Sequence, residues 1–125
     1  MNSDKHLAQA AIILAGMRKL AMPGDYLAIV DGAMVAGYHL GNAALHAHGV
    51  TGDAEHVNTP SKLERAIDTL PAPIRSAFVA FEELEKFRFD FVRSASVYDE
   101  RLGADVWRCL EVMQQACAAK RPAQG

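Results

Sequence analysis

The chain has 125 residues, of which thirteen are Lys or Arg and fifteen are Asp or Glu, giving a formal net charge of −2. That length suits one domain and lets roughly two-thirds of the unfolded surface be buried, so a hydrophobic core needs no staple. Half the residues are apolar and 22% are charged, which excludes a disordered or collagen-like chain. The near balance of charge excludes a general attraction to DNA or to an anionic membrane.

Punctuation divides the sequence into helical segments. Ser3 offers an N-cap, and Leu7, Ala11, Leu14 and Arg18 share one face of a first helix over 4–21 that Pro23-Gly24 ends. A long helix follows over 25–48, with Tyr26, Ile29, Val30, Ala33, Gly37, Leu40, Ala44 and Leu45 at helical spacing. Gly49 closes it, and residues 50–58 read as a polar, flexible loop. Thr59-Pro60 places a capping hydroxyl before a proline and predicts a short helix over 60–69, with Leu63, Ala66, Ile67 and Leu70 on its apolar side.

Pro71 and Pro73 break that segment and start a second long helix over 73–97, striped by Ile74, Phe78, Phe81, Leu84, Phe91 and Ala95. Asp99 caps a last helix over 100–119, whose buried stripe is Leu102, Val106, Leu110, Met113 and Cys117. Strand-like alternation and internal repeats are missing from the sequence. The expected fold is all-α: an up-and-down four-helix bundle with one additional short helix, in a single domain over 1–125.

Gly32, Ala33, Ala36, Gly37, Gly41, Ala43 and Ala44 crowd the second helix with small residues. Each glycine costs about 1 kcal/mol of helix propensity against alanine, which is tolerable where another backbone approaches closely. Close packing inside the bundle is one reading, and a helix contact across a dimer is the other. Five Phe within fourteen residues, Phe78, Phe81, Phe87, Phe89 and Phe91, cannot share one narrow stripe. A symmetric homodimer is expected to cover some of them.

Cys109 and Cys117 are eight residues apart on one predicted helix, about 12 Å at the helical rise, too far for a disulfide. They read as small core residues in a reducing cytoplasm. The apolar run from Leu7 to Met17 is interrupted by Gln9 and followed by Arg18-Lys19 rather than by a small-residue cleavage site. The expected location is cytoplasmic, with no membrane span.

His39, His46, His48 and His56 lie within eighteen residues of one another. Two ligands on one helix share an ion at spacings of three or four, and none of these pairs has that spacing. The strings His-Glu-x-x-His, Cys-x-x-Cys and Glu-x-x-His do not occur, so the spacing alone assigns no metal and no cofactor. His39, Asn42 and His46 form a polar stripe on the second helix, expected to be a partly exposed face.

Charge is unevenly placed. No Lys or Arg stands between Lys19 and Lys62, whereas Lys86, Arg88, Arg93, Arg101, Arg108, Lys120 and Arg121 follow. Polar function is therefore expected at the end of the 73–97 helix rather than in the acidic loop. The phosphate-binding Gly-x-x-x-x-Gly-Lys-Ser/Thr string and the nucleophilic Gly-x-Ser-x-Gly string do not occur.

Two long helices, an Arg-containing turn and a last helix, in that order, resemble the HEPN superfamily of small helical bundles. Arg93-Ser94-Ala95-Ser96-Val97-Tyr98 carries the likeness, with Tyr98 where the family has a His, and residues 26–50 resemble its alanine-rich second helix. The resemblance implies a homodimer whose Arg-containing helix ends meet at a cleft, which cuts RNA in active members. Tyr titrates near about 10 and cannot shuttle protons near neutrality as His does. Binding is thus expected to outlast catalysis: a module for a nucleotide, RNA or protein partner, held through Arg93 and Tyr98, with Arg88 or Arg101 adding positive potential. The alternative is a metal- or small-ligand-binding bundle, in which the fold brings His39, His46 or His56 together, or a weak, metal-independent ribonuclease.

Overall fold

The computed structural model describes residues 1–93 and 99–118. Four helices form an all-α bundle: α1 (Ser3–Met17), α2 (Tyr26–Ala47), α3 (Ala72–Arg88) and α4 (Leu102–Ala118). Helix α2 is central. It lies along α1 and meets both α3 and α4, while α3 lies along α4. Pairing runs from Ser3 beside Ala43 to Met17 beside Gly32, so α1 and α2 are antiparallel. Gly37 faces Phe81 and Gly41 faces Phe78, so α2 and α3 are antiparallel too. Gly103 near Met22 and Cys117 on Leu40 align α4 with α2, completing the up-and-down order.

Local chemistry sets the helix ends. Asn2, rather than Ser3, caps α1, its Oδ1 accepting from the Lys5 N–H at 2.9 Å. The Ser3 hydroxyl instead donates across the bundle to the Ala43 carbonyl at 2.9 Å. Helix α1 stops at Met17, earlier than expected, and two turns carry the chain to Pro23. Asp99 does act at the start of α4: its Oδ1 accepts from the Arg101 N–H, and its carbonyl accepts from the Leu102 N–H.

The short helix expected over 60–69 is not one helix. It resolves into two separate 3-10 turns, Pro60–Lys62 and Ile67–Thr69. The segment buries only Pro60 and Leu70 and half-buries Leu63 and Ile67, which is too narrow an apolar face to hold a continuous helix against the bundle. The second long helix is also interrupted. After Arg88 it widens into a π-helical turn, Phe89–Arg93, that packs against α2 and α3, and the rest of the expected span, 94–97 with Ala95, lies outside the described residues.

The core fills the space between the four helices, with Phe78 and Phe81 in edge-to-face contact at a centroid distance of 5.8 Å. The small-residue stripe of α2 belongs to this core. A Cβ on Gly37 would come within 2.9 Å of the Phe81 ring, and one on Gly41 within 3.5 Å of Phe78 and Phe81. Close packing inside the monomer therefore explains the stripe. Cys109 is buried, Cys117 is half-buried, and both are free thiols. Among the described residues no helix is long and apolar enough to cross a membrane.

Candidate metal centre

Four histidines converge where the start of α1, the second half of α2 and the following loop meet. His6 is fully buried, and its ring centroid lies 5.2 Å from each of His39, His46 and His56. His39 and His46 are two helical turns apart, roughly 10 Å along the axis, so they cannot touch each other. His6 closes that gap by placing its ring between them. Tyr38 flanks the group, with its ring 5.7 Å from His6 and 4.8 Å from His39.

Backbone anchoring brings His56 into place. Asn42 is fully buried, and its side chain pairs with Val57 in both directions: Nδ2 donates to the Val57 carbonyl at 2.9 Å, and Oδ1 accepts from the Val57 N–H at 2.8 Å. Asn42 Nδ2 also donates to the Tyr38 carbonyl. The loop over 50–58 is thus tied to α2 by hydrogen bonds. The stripe of His39, Asn42 and His46 is likewise not an exposed face, because α1 and this loop cover it.

The hydrogen bonds orient the rings. The Glu55 carbonyl can only accept, so the 2.9 Å contact from His46 places the proton on His46 Nε2. In the neutral ring that leaves the lone pair on Nδ1, which is buried without a hydrogen bond among the described residues and 3.6 Å from Asp53 Oδ1. Either a proton or a metal ion on that lone pair would face the carboxylate favourably. His6 Nδ1 meets His39 Nδ1 at 2.9 Å, and His6 Nε2 is buried with no partner among the described residues. With His6 Nδ1 as donor, Nε2 also presents a lone pair.

His6, His46 and His56 each offer one nitrogen, and these three atoms lie within 4.8 Å of one another. Burial first, and then the neighbouring His39, His46 and His56, push the His6 imidazole down to about 4. Burial and His56 lower His39 as well. Low basicity keeps both rings neutral at physiological pH, the state a metal ligand requires. His48 stands outside this group.

The spacing rule excluded chelation within α2 and remains true of α2 taken alone. What it could not supply was His6, from α1, which the sequence reading did not place at a site. Its only sequence mark was a histidine among the apolar positions of an amphipathic helix.

The arginines are more dispersed. Arg93 is exposed in the last π turn and forms no ion pair among the described residues. Arg88 is half-buried and lines a hollow of about 290 Å³ with Met34, Val35, Tyr38 and Asn58. Arg101 is exposed and 3.8 Å from Asp99. Tyr98, and with it the Arg93–Tyr98 pairing, lies outside the described residues. Comparison with known proteins finds no matching family model, no matching curated protein and no matching solved structure.

Proposed function

We propose that the chain is a metal-binding helical-bundle protein, with a divalent transition ion held by His6, His46 and His56. The carrying observation is that two of these rings each bury a nitrogen with no hydrogen bond among the described residues, His6 Nε2 and His46 Nδ1. Protonating His46 would answer Asp53 but leave His6 Nε2 unpartnered. An ion between the rings answers both. Imidazole-only ligation suits zinc, copper, nickel or iron rather than calcium or magnesium.

Tetrahedral coordination at about 2.0–2.1 Å brings ligand nitrogens to about 3.3 Å apart, so the group must contract slightly. His56 is exposed on its loop and has room to move. The Glu55 carbonyl on His46 and the His39 ring on His6 are the outer partners that orient metal-bound imidazoles. Three protein ligands leave a fourth position for water or another ligand, the arrangement of reactive rather than purely structural sites.

The test is metal analysis after chelator treatment and reloading with zinc, cobalt, nickel or copper. One ion per chain is expected, with binding weakened at least tenfold in His6→Gln, His46→Gln and His56→Gln and unchanged in His48→Gln. No stoichiometric ion, or binding indifferent to the first three variants, overturns the reading.

A second reading is a nucleotide- or RNA-binding face at the end of α3. Its support is the position of Arg88 in the hollow beside Tyr38, one helical turn and a half from the exposed Arg93. Phe89 there is 62% exposed and Val92 37%, and Val35 on α2 is 49% exposed; a homodimer through this face would cover them. RNA binding by fluorescence anisotropy that Arg88→Ala and Arg93→Ala abolish, with light scattering of a dimer, would favour this reading.

A further inference from the structure

A cleft of about 510 Å³ opens beside the histidine cluster, between the loop after α2 and residues 62–65, at and just after the end of the first 3-10 turn. His56 belongs to both the candidate metal group and the wall of this cleft. The other polar groups on the wall are Thr51, Glu55, Lys62, Glu64 and Arg65. We propose that this cleft binds a small anionic ligand, a carboxylate or a phosphate, with its charged group between Lys62, Arg65 and the metal held at His56. The inference rests on the metal reading and names the class of ligand that would take the fourth position.

Two observations support it. Lys62 and Arg65 line the cleft, and neither forms an ion pair among the described residues. The volume falls within the range of about 300–1,000 Å³ typical of small-molecule sites, enough for an anionic group and an organic remainder.

Charge decides when the cleft attracts an anion. Without metal, the two cations on the wall face two carboxylates, although Glu55 Oε1 is already engaged with the Gly52 N–H at 3.3 Å. That arrangement is close to neutral. A divalent ion beside His56 tips it positive, so anion binding should require the metal. A guanidinium can hold two oxygens of a carboxylate or phosphate in a fork, while Lys acts as a point charge.

The experiment uses the full chain loaded with cobalt, titrated separately with inorganic phosphate and with acetate. It follows the visible cobalt spectrum together with calorimetry. At least one anion is expected to perturb the spectrum and bind, with affinity at least tenfold weaker in the metal-free protein. The double variant Lys62→Ala/Arg65→Ala should weaken that anion at least tenfold while leaving cobalt affinity unchanged. Both substituted cations are exposed, and circular dichroism checks that the variant folds. Cobalt binding with neither anion bound, or with anion affinity within twofold of the parent in the double variant, overturns this inference alone. Failure to bind cobalt at all removes the reading beneath it. The stronger of the two anions distinguishes a phosphate ligand from a carboxylate.

Discussion

The Asn42 side chain grips the backbone of Val57 by both its amide nitrogen and its oxygen, at 2.9 and 2.8 Å. This pair turns the chain back over α2, so that His56 returns to within reach of His46. Asn42→Leu would leave the Val57 N–H and carbonyl buried without partners, at a cost of about 2–3 kcal/mol. The expected outcome is a lower melting temperature together with weaker metal binding, because His56 loses its anchor. Metal affinity unchanged at a temperature where the variant is folded would show that Asn42 does not position the site.

Stability of the metal-free protein should depend on pH through His6. Its folded value, about 4, lies below the ordinary value of 6.5, so the unfolded chain binds more protons between those limits. Stability is therefore complete above about 6.5 and is lost as pH falls toward 4, by about 2–3 kcal/mol. His39, lowered chiefly by burial, adds to the loss in the same direction. Urea titrations across that interval should show a shallower slope for His6→Gln. An identical slope would remove His6 as the cause.

Bound metal should make the same interval steeper. Protons compete with the ion for imidazole nitrogens, so acid releases it. Chelation at neutral pH should lower the melting temperature of the parent protein and leave His46→Gln unaffected. Differential scanning calorimetry with and without chelator measures both.

Gly37→Ala tests the close approach of α2 to α3. Alanine favours the helix by about 1 kcal/mol, but its Cβ would stand 2.9 Å from a fully buried Phe81 ring with nowhere to retreat. Overpacking costs about 1–3 kcal/mol, so a net destabilisation on the order of 1 kcal/mol is expected in chemical denaturation. A stabilised variant would mean that the ring can move.

Both thiols should be inert in the folded chain. Burial, then the hydrogen bond and charge of Glu83, push Cys109 up to about 12, and burial pushes Cys117 to about 11. Cys109 Sγ donates to Glu83 Oε2 at 3.3 Å, and the same carboxylate pairs with Arg108 at 3.3 Å. Reaction with a thiol reagent at neutral pH should run at least about a hundredfold slower than for an ordinary cysteine. Unfolding should release two reactive thiols, and rapid labelling of the native chain would contradict the burial.

Most of the fold was legible because it rests on local patterns. Apolar positions at three- and four-residue steps marked α2, α3 and α4; proline and glycine marked both ends of α2 and the start of α3, and Asp99 marked the start of α4. The failures have physical causes. Ser3 has a capping hydroxyl, but Asn2 took the cap and Ser3 bonded to Ala43, forty residues away. Leu63, Ala66, Ile67 and Leu70 have helical spacing, yet the segment lacks a face wide enough to dock, and two 3-10 turns result. The π turn at Phe89–Arg93 keeps the same chain direction as a helix, so spacing alone did not reveal it.

The sequence by itself determined an all-α bundle, a small-residue central helix and the want of any chelating pair along that helix, because each follows from neighbours within a turn or two. Only the tertiary structure decided that His39, Asn42 and His46 are covered rather than exposed. Only it placed His6, from thirty-three residues before His39, between two rings that α2 holds too far apart to meet. The reason is one of distance. Helical periodicity orders side chains around a single axis, whereas a cluster of imidazoles needs the register of two helices and the return of a loop. That register is set by the packing of α1 on α2 and by the hold of Asn42 on Val57, neither of which leaves a periodic trace in the chain.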